Sequence, residues 1–142
     1  MPYTLLEIVE SVSTKLGGSY TEVHSNYLLR LPMEVIDGKE IIQEVIVITI
    51  ENQVKEPMLK YFSIAGTIKL EPELTEFLLR NNLGMDYGGF SLMAINNEEN
   101  LVVYDSVPLA TAKIDDIIPS VQYISKLAYE SKKRISSGLN PL

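Results

Sequence analysis

The segment Ile41–Ile50 constrains this chain more than any other. It reads Ile-Ile-Gln-Glu-Val-Ile-Val-Ile-Thr-Ile, dense in β-branched residues and free of glycine and proline. Side chains alternate across a strand, so Ile42, Ile46, Ile48 and Ile50 share one face and Val45 and Val47 share the other. A strand apolar on both sides belongs in the middle of a sheet, with something to bury on each face. Whatever fold the chain adopts must be built around it.

The flanking sequence supplies neighbours for that strand. Tyr27, Leu29, Leu31 and Met33 alternate on one side, and Asp37-Gly38 between the two runs is a hairpin turn signal. The polar stretch Glu51–Pro57 makes the next turn. Met58–Thr67 reads as a third strand, with Phe62 and Ile64 on one face and Leu59, Tyr61 and Ala65 on the other. Short connections make these three strands an antiparallel meander. Phe90–Asn96 and Leu101–Ala110 are two more strands, with Asn97-Glu98-Glu99-Asn100 as their hairpin.

Three segments carry helical spacing instead. Leu5, Val9, Val12 and Leu16 form a stripe behind a capping box of Thr4 and Glu7, and Gly17-Gly18 ends it. A second helix opens at Glu71-Pro72-Glu73, where proline and acids suit a helix start. Leu74, Phe77 and Leu78 are its main stripe, Leu79 and Leu83 lie on the opposite side, and Gly84 stops it. The third starts around Asp115-Asp116, with Ile114, Ile117, Ile118, Val121, Ile124 and Ala128 as a broad stripe and Pro119 near its first turn. Tyr123 and Leu127 lie off that stripe. Ser136–Leu142 reads as a frayed tail.

The expected architecture is one α+β domain over residues 1–142, in the order α-β-β-β-α-β-β-α. Its five-stranded, mainly antiparallel sheet carries helices on one face. A length of 142 residues suits a single domain with a real core.

The same sequence excludes much chemistry. Cysteine is absent and His24 is the single histidine, so neither a cysteine site nor a His-rich zinc site can form. His24 reads as a surface or hydrogen-bonded structural residue, with no nucleophile elbow to supply it a serine. The acidic pairs Glu40/Glu44, Glu98/Glu99 and Asp115/Asp116 are accounted for by edge solvation, turn polarity and helix-start chemistry. None has the spacing of a calcium loop. No phosphate loop or dinucleotide fingerprint is present. No catalytic, cofactor or metal residue is therefore assigned, and no enzyme activity is expected. An unrecognised ligand pocket near His24 and the acids is the alternative.

A net charge of −7 disfavours nucleic acid. The basic run Lys132-Lys133-Arg134 is read as cations at a helix C-terminus. No apolar run is long enough to span a membrane. The opening Met1-Pro2-Tyr3-Thr4 lacks the basic region of a signal peptide, so the cytoplasm is the expected location.

What remains is surplus apolar surface. If helices cover one sheet face only, the other carries apolar groups with nothing over them. Val45, Val47, Leu79, Tyr123 and Leu127 are the candidate residues. Three outcomes stay open: the second helix folds over that face, a protein partner covers it, or part is buried against a second copy.

The order of elements, with Phe77-Leu78-Leu79-Arg80-Asn81-Asn82, Phe90-Ser91-Leu92, Leu101-Val102-Val103, Val107-Pro108-Leu109 and Ile124-x-x-Leu127-Ala128, resembles the type III secretion chaperone-like fold. Within it the chain is similar to the YbjN-like group of bacterial proteins, cyanobacterial ones included. The resemblance implies a non-enzymatic, acidic homodimer that binds segments of other proteins or acts in regulation.

Overall fold

The computed structural model describes residues 3–142; Met1 and Pro2 lie outside them. The described residues form α1 (Leu5–Leu16), β1 (Ser19–Val23), β2 (Asn26–Ile36), β3 (Lys39–Glu51), β4 (Pro57–Thr67), α2 (Pro72–Asn82), β5 (Gly89–Ile95), β6 (Glu98–Pro108) and α3 (Ile114–Ser136). A 3₁₀ turn at Leu109–Thr111 joins β6 to α3. The strands make one antiparallel sheet in the order β1-β2-β3-β4-β6-β5. The fold class and helix order are as expected, with six strands in place of five.

The additional strand, β1, is exposed along its whole length. It buries no apolar face, so hydrophobic alternation could not reveal it. What makes it a strand is its hairpin with β2, closed by His24-Ser25 with φ of 49° and 68°. Positive φ at both central residues is what a type I′ turn demands. Asp37-Gly38 and Asn96-Asn97 close the β2–β3 and β5–β6 hairpins in the same way. The last of these corrects the expected hairpin at Asn97–Asn100. The turn sits one residue earlier, so Glu98, Glu99 and Asn100 belong to β6. Between β3 and β4, Asn52 Oδ1 accepts from the backbone N–H groups of Val54 and Glu56 and shapes the longer turn.

Thr4 caps α1, its Oγ1 accepting from the Glu7 N–H at 3.1 Å. Gly17, with φ 69°, ends the helix. The helix α3 begins at Ile114, ahead of the expected start, and its N-cap Lys113 contributes no side-chain bond. Asp115 and Asp116 lie in its first turn, where their charge complements the helix dipole. The C-terminal segment does not trail free as the sequence suggested. Gly138 and Leu139 donate to the carbonyls of Ile135 and Arg134, Arg134 Nε donates to the Asn140 carbonyl at 2.7 Å, and Pro141 is buried.

All three helices pack on one side of the sheet. Ile8, Val9 and Val12 of α1, Leu78 of α2, and Ile117, Val121, Ile124 and Ala128 of α3 meet Leu29, Leu31, Val45, Val47, Leu59, Tyr61, Leu101 and Val103 from the strands. A polar relay crosses this core. The Tyr61 hydroxyl donates to Ser120 Oγ at 2.7 Å, and Ser120 Oγ donates to Asp105 Oδ2 at 2.8 Å. It pins α3 to the adjacent strands β4 and β6.

Candidate functional site

The apolar surface foreseen on the second sheet face exists, but with the two faces of β3 exchanged. Val45 and Val47 are 0% and 3% exposed and lie under the helices, so they form core and cannot line a partner surface. The isoleucine side of the same strand is the one left uncovered. Helix α2 does not fold over it. Its Leu78 joins the same buried cluster as Phe90 of β5, on the side occupied by α1 and α3.

The open face has a regular layout because the register sets it. Leu28, Ile46, Phe62 and Tyr104 stand opposite one another on β2, β3, β4 and β6. Ile64 pairs with Val102 one row away, and Ile48 with Lys60 on the other side. Phe62 and Val102 are buried by their neighbours, whereas Ile42, Ile46, Ile48 and Ile64 remain half-buried and Ile50 is exposed. Two shallow grooves run across it. One is lined by Leu28, Ile42, Ile46, Ile64 and Gly66, and the other by Ile48, Ile50, Phe62, Met93, Val102 and Tyr104. The register shifts between Ile64 and Gly66, where φ is +123°, so β4 kinks beside the first groove.

The polar groups of the face are sparse. Arg30 and Glu44 form a cross-strand ion pair at 3.0 Å, half exposed on both sides. Such a pair is worth between about zero and 1 kcal/mol. Lys60 forms no ion pair among the described residues. Every other position in the grooves is apolar or uncharged except Lys132 at one margin.

The other candidate residues divide. Leu79 is 67% exposed on α2, and Leu83 beyond the helix end is 94% exposed. Leu79 borders a hollow of about 750 Å³ with Leu70, Pro72, Thr75 and Arg80. Tyr123 and Leu127 pack partly buried against the core. Tyr123 also holds the loop before β5: its hydroxyl accepts from the Asp86 N–H at 3.3 Å, and its ring lies 5.5 Å from that of Tyr87. These two residues therefore brace α3 against the sheet. The structure does not gather the five into one patch.

The titratable groups have structural explanations. His24 is a hairpin-turn residue. Glu34 Oε2 accepts from the Tyr129 hydroxyl and from Lys133 Nζ at 3.1 Å, and Lys133 also meets Glu130 at 3.2 Å. The tyrosine hydrogen bond first, and then the lysine, hold the Glu34 carboxyl below its usual range. That places Lys133 of the basic run in a tie between α3 and β2. Burial pushes the Tyr61 hydroxyl far up, which keeps it protonated and donating to Ser120. The relay is two hydroxyls ending on the Asp105 carboxylate, and it ties α3 to β4 and β6. No group of three histidine, cysteine or acidic side chains able to hold a metal occurs among the described residues. No described helix is long and apolar enough to cross a membrane.

With the sheet order and the bare face in view, a solved structure of similar fold can be compared. YbjN from E. coli, described as a candidate transcription regulator, superposes with a TM-score of 0.56 at 20% sequence identity, over 90% of this chain and 91% of that one. This chain has the YbjN fold. The match to YbjN runs nearly end to end in both chains. At this identity the likeness is one of fold. No protein-family model matches the chain, and no curated protein sequence does.

Proposed function

We propose that the chain is a non-enzymatic protein-binding module, chaperone-like or regulatory, that works in the cytoplasm as a homodimer. It takes an apolar segment of a partner protein across the open sheet face. The observation that carries this reading is the uncovered isoleucine face, Ile42, Ile46, Ile48 and Ile50 beside Phe62, Ile64 and Tyr104. Covering each half-buried isoleucine is worth on the order of 1 kcal/mol, so several together supply useful affinity. Unpaired Lys60 beside the second groove favours a segment that carries a carboxylate among its apolar residues.

The fold likeness supports the regulatory side of the reading, since YbjN is described as a candidate transcription regulator. A net charge of −7 makes protein contact, rather than a phosphate backbone, the natural route for such a role.

The test uses a labelled, permanently unfolded protein, reduced and carboxymethylated α-lactalbumin, with binding followed by fluorescence anisotropy. The wild-type chain is expected to bind, and Ile48→Asp to weaken binding at least tenfold while its circular dichroism stays unchanged. Absent wild-type binding, or equal binding by a folded Ile48→Asp protein, would overturn the reading.

A further inference from the structure

The two ends of the sheet are built differently. At one end, β1 is five residues long and carries Glu22, a charge of the kind that discourages strand pairing. At the other end, β5 reads Gly-Phe-Ser-Leu-Met-Ala-Ile, seven residues without a charge or a proline, in a chain that is 22% charged. An edge of that length and composition is a pairing template.

The backbone shows which part of this edge is free. The Asn82 side chain takes both outward groups of Phe90: its Oδ1 accepts from the Phe90 N–H at 2.7 Å, and its Nδ2 donates to the Phe90 carbonyl at 3.2 Å. Phe90 therefore directs its N–H and C=O away from β6. Direction alternates along an antiparallel strand, so Leu92 and Ala94 do the same. Neither has a partner for those groups among the described residues. Phe90 is capped, and the free stretch is Leu92–Ala94.

We infer that β5 pairs with β5 of a second copy, antiparallel about a two-fold axis at Met93. This rests on the homodimer in the reading above and assigns its interface. The register follows from counting bonds. With Leu92 opposite the second copy's Ala94 and the reverse, the four free groups of each strand are matched in four hydrogen bonds across the axis. Centring on Leu92 would oppose Ala94 to the capped Phe90, and centring on Ala94 would oppose Leu92 to the turn residue Asn96. Each of those gives about half as many.

The side chains agree with self-pairing. Leu92 is 38% exposed and shares a groove with Leu79, Leu78 and Phe90, so the exposed Leu79 lies beside the edge on the helix side. On the opposite side Met93 lies in the groove with Ile48 and Phe62. Two acidic chains can meet here because the strand between them is uncharged. In this register the two strands overlap over Ser91–Ile95, a strip about 17 Å long, with Leu79 of α2 beside it, which puts the contact at the small end of specific interfaces. Joining the two sheets would also make their open faces one continuous surface.

The absence of cysteine makes a clean test possible. Met93→Cys is expected to form an inter-chain disulfide on mild oxidation, because the axis places the two residues opposite each other. Thr21→Cys on β1 is the control and should remain reduced. Ala94→Lys, at an exposed position, should convert the dimer seen by light scattering into a folded monomer. A wild-type dimer in which Met93→Cys fails to cross-link and Ala94→Lys stays dimeric would overturn this interface and leave the homodimer standing. A wild-type monomer at high concentration would overturn both, while unfolded-protein binding by that monomer would keep the binding face.

Discussion

The two faces of β3 carry nearly the same chemistry and different fates. Val45 and Val47 are closed off beneath α1 and α3, while Ile46 and Ile48, their immediate neighbours in sequence, look outward. Larger aliphatic side chains sit on the open side. Hydrophobicity alone therefore does not say which face a protein buries within itself. That is decided by where the connections put the helices, and here all three lie on one side.

The sharpest way to break this comparison is to place the same charge on both faces. Val45→Asp buries an unpaired carboxylate and should cost about 3–5 kcal/mol, enough to leave much of the chain unfolded. Ile48→Asp should cost about 1 kcal/mol or less, since water reaches that position. Urea unfolding of the two variants measures the difference, and equal losses would mean that the open face is an internal core.

A smaller effect probes how the covered face is pinned. Ser120→Ala leaves the Tyr61 hydroxyl with only its long 3.5 Å contact to Asp105 Oδ2 and takes a donor from Asp105, and should cost about 1–3 kcal/mol in the same assay. Tyr61→Phe leaves the Ser120–Asp105 bond in place and should cost less.

The smallest effect is set by pH. The folded chain holds the Glu34 carboxyl below its unfolded value, so its contribution is fully present above the unfolded value of about 4.3. It fades as pH falls through the folded one. Glu34→Gln should flatten the acid limb of the stability–pH curve and leave stability near neutrality changed only slightly. An unaltered acid limb in the variant would show that the tie from α3 to β2 contributes nothing.

Much of this fold was legible in the sequence, and the omissions have physical causes. The alternation in β3 and β4 and the stripes of α1 and α3 are direct records of burial, so periodicity found them. Strand β1 buries nothing and left no such record. Its turn is made by His24-Ser25, a pair without the usual glycine or asparagine signal. The division of β3 into two faces could be read, but not the choice between them, because helix placement depends on all the connections at once. For the same reason Leu79, off the main stripe of its helix, is exposed, whereas Tyr123 and Leu127 are drawn into contacts that no local pattern encodes. The free edge of β5 needs the strand order and the Asn82 hydrogen bonds, neither of which composition contains.

The tight turns have one further consequence, for the time course of folding. Three of the five strand pairings, β1–β2, β2–β3 and β5–β6, are closed by two-residue loops and link residues close in sequence. Together with β3–β4 they can form early and independently. The exception is the seam between β4 and β6, which brings Thr67 against Asn100 across the whole of α2. Closing a loop of roughly thirty residues costs about 3 kcal/mol of chain entropy beyond a constant. Two hairpin units that form readily must therefore wait for one another, and the β4–β6 seam sets the pace at which the chain becomes a single sheet.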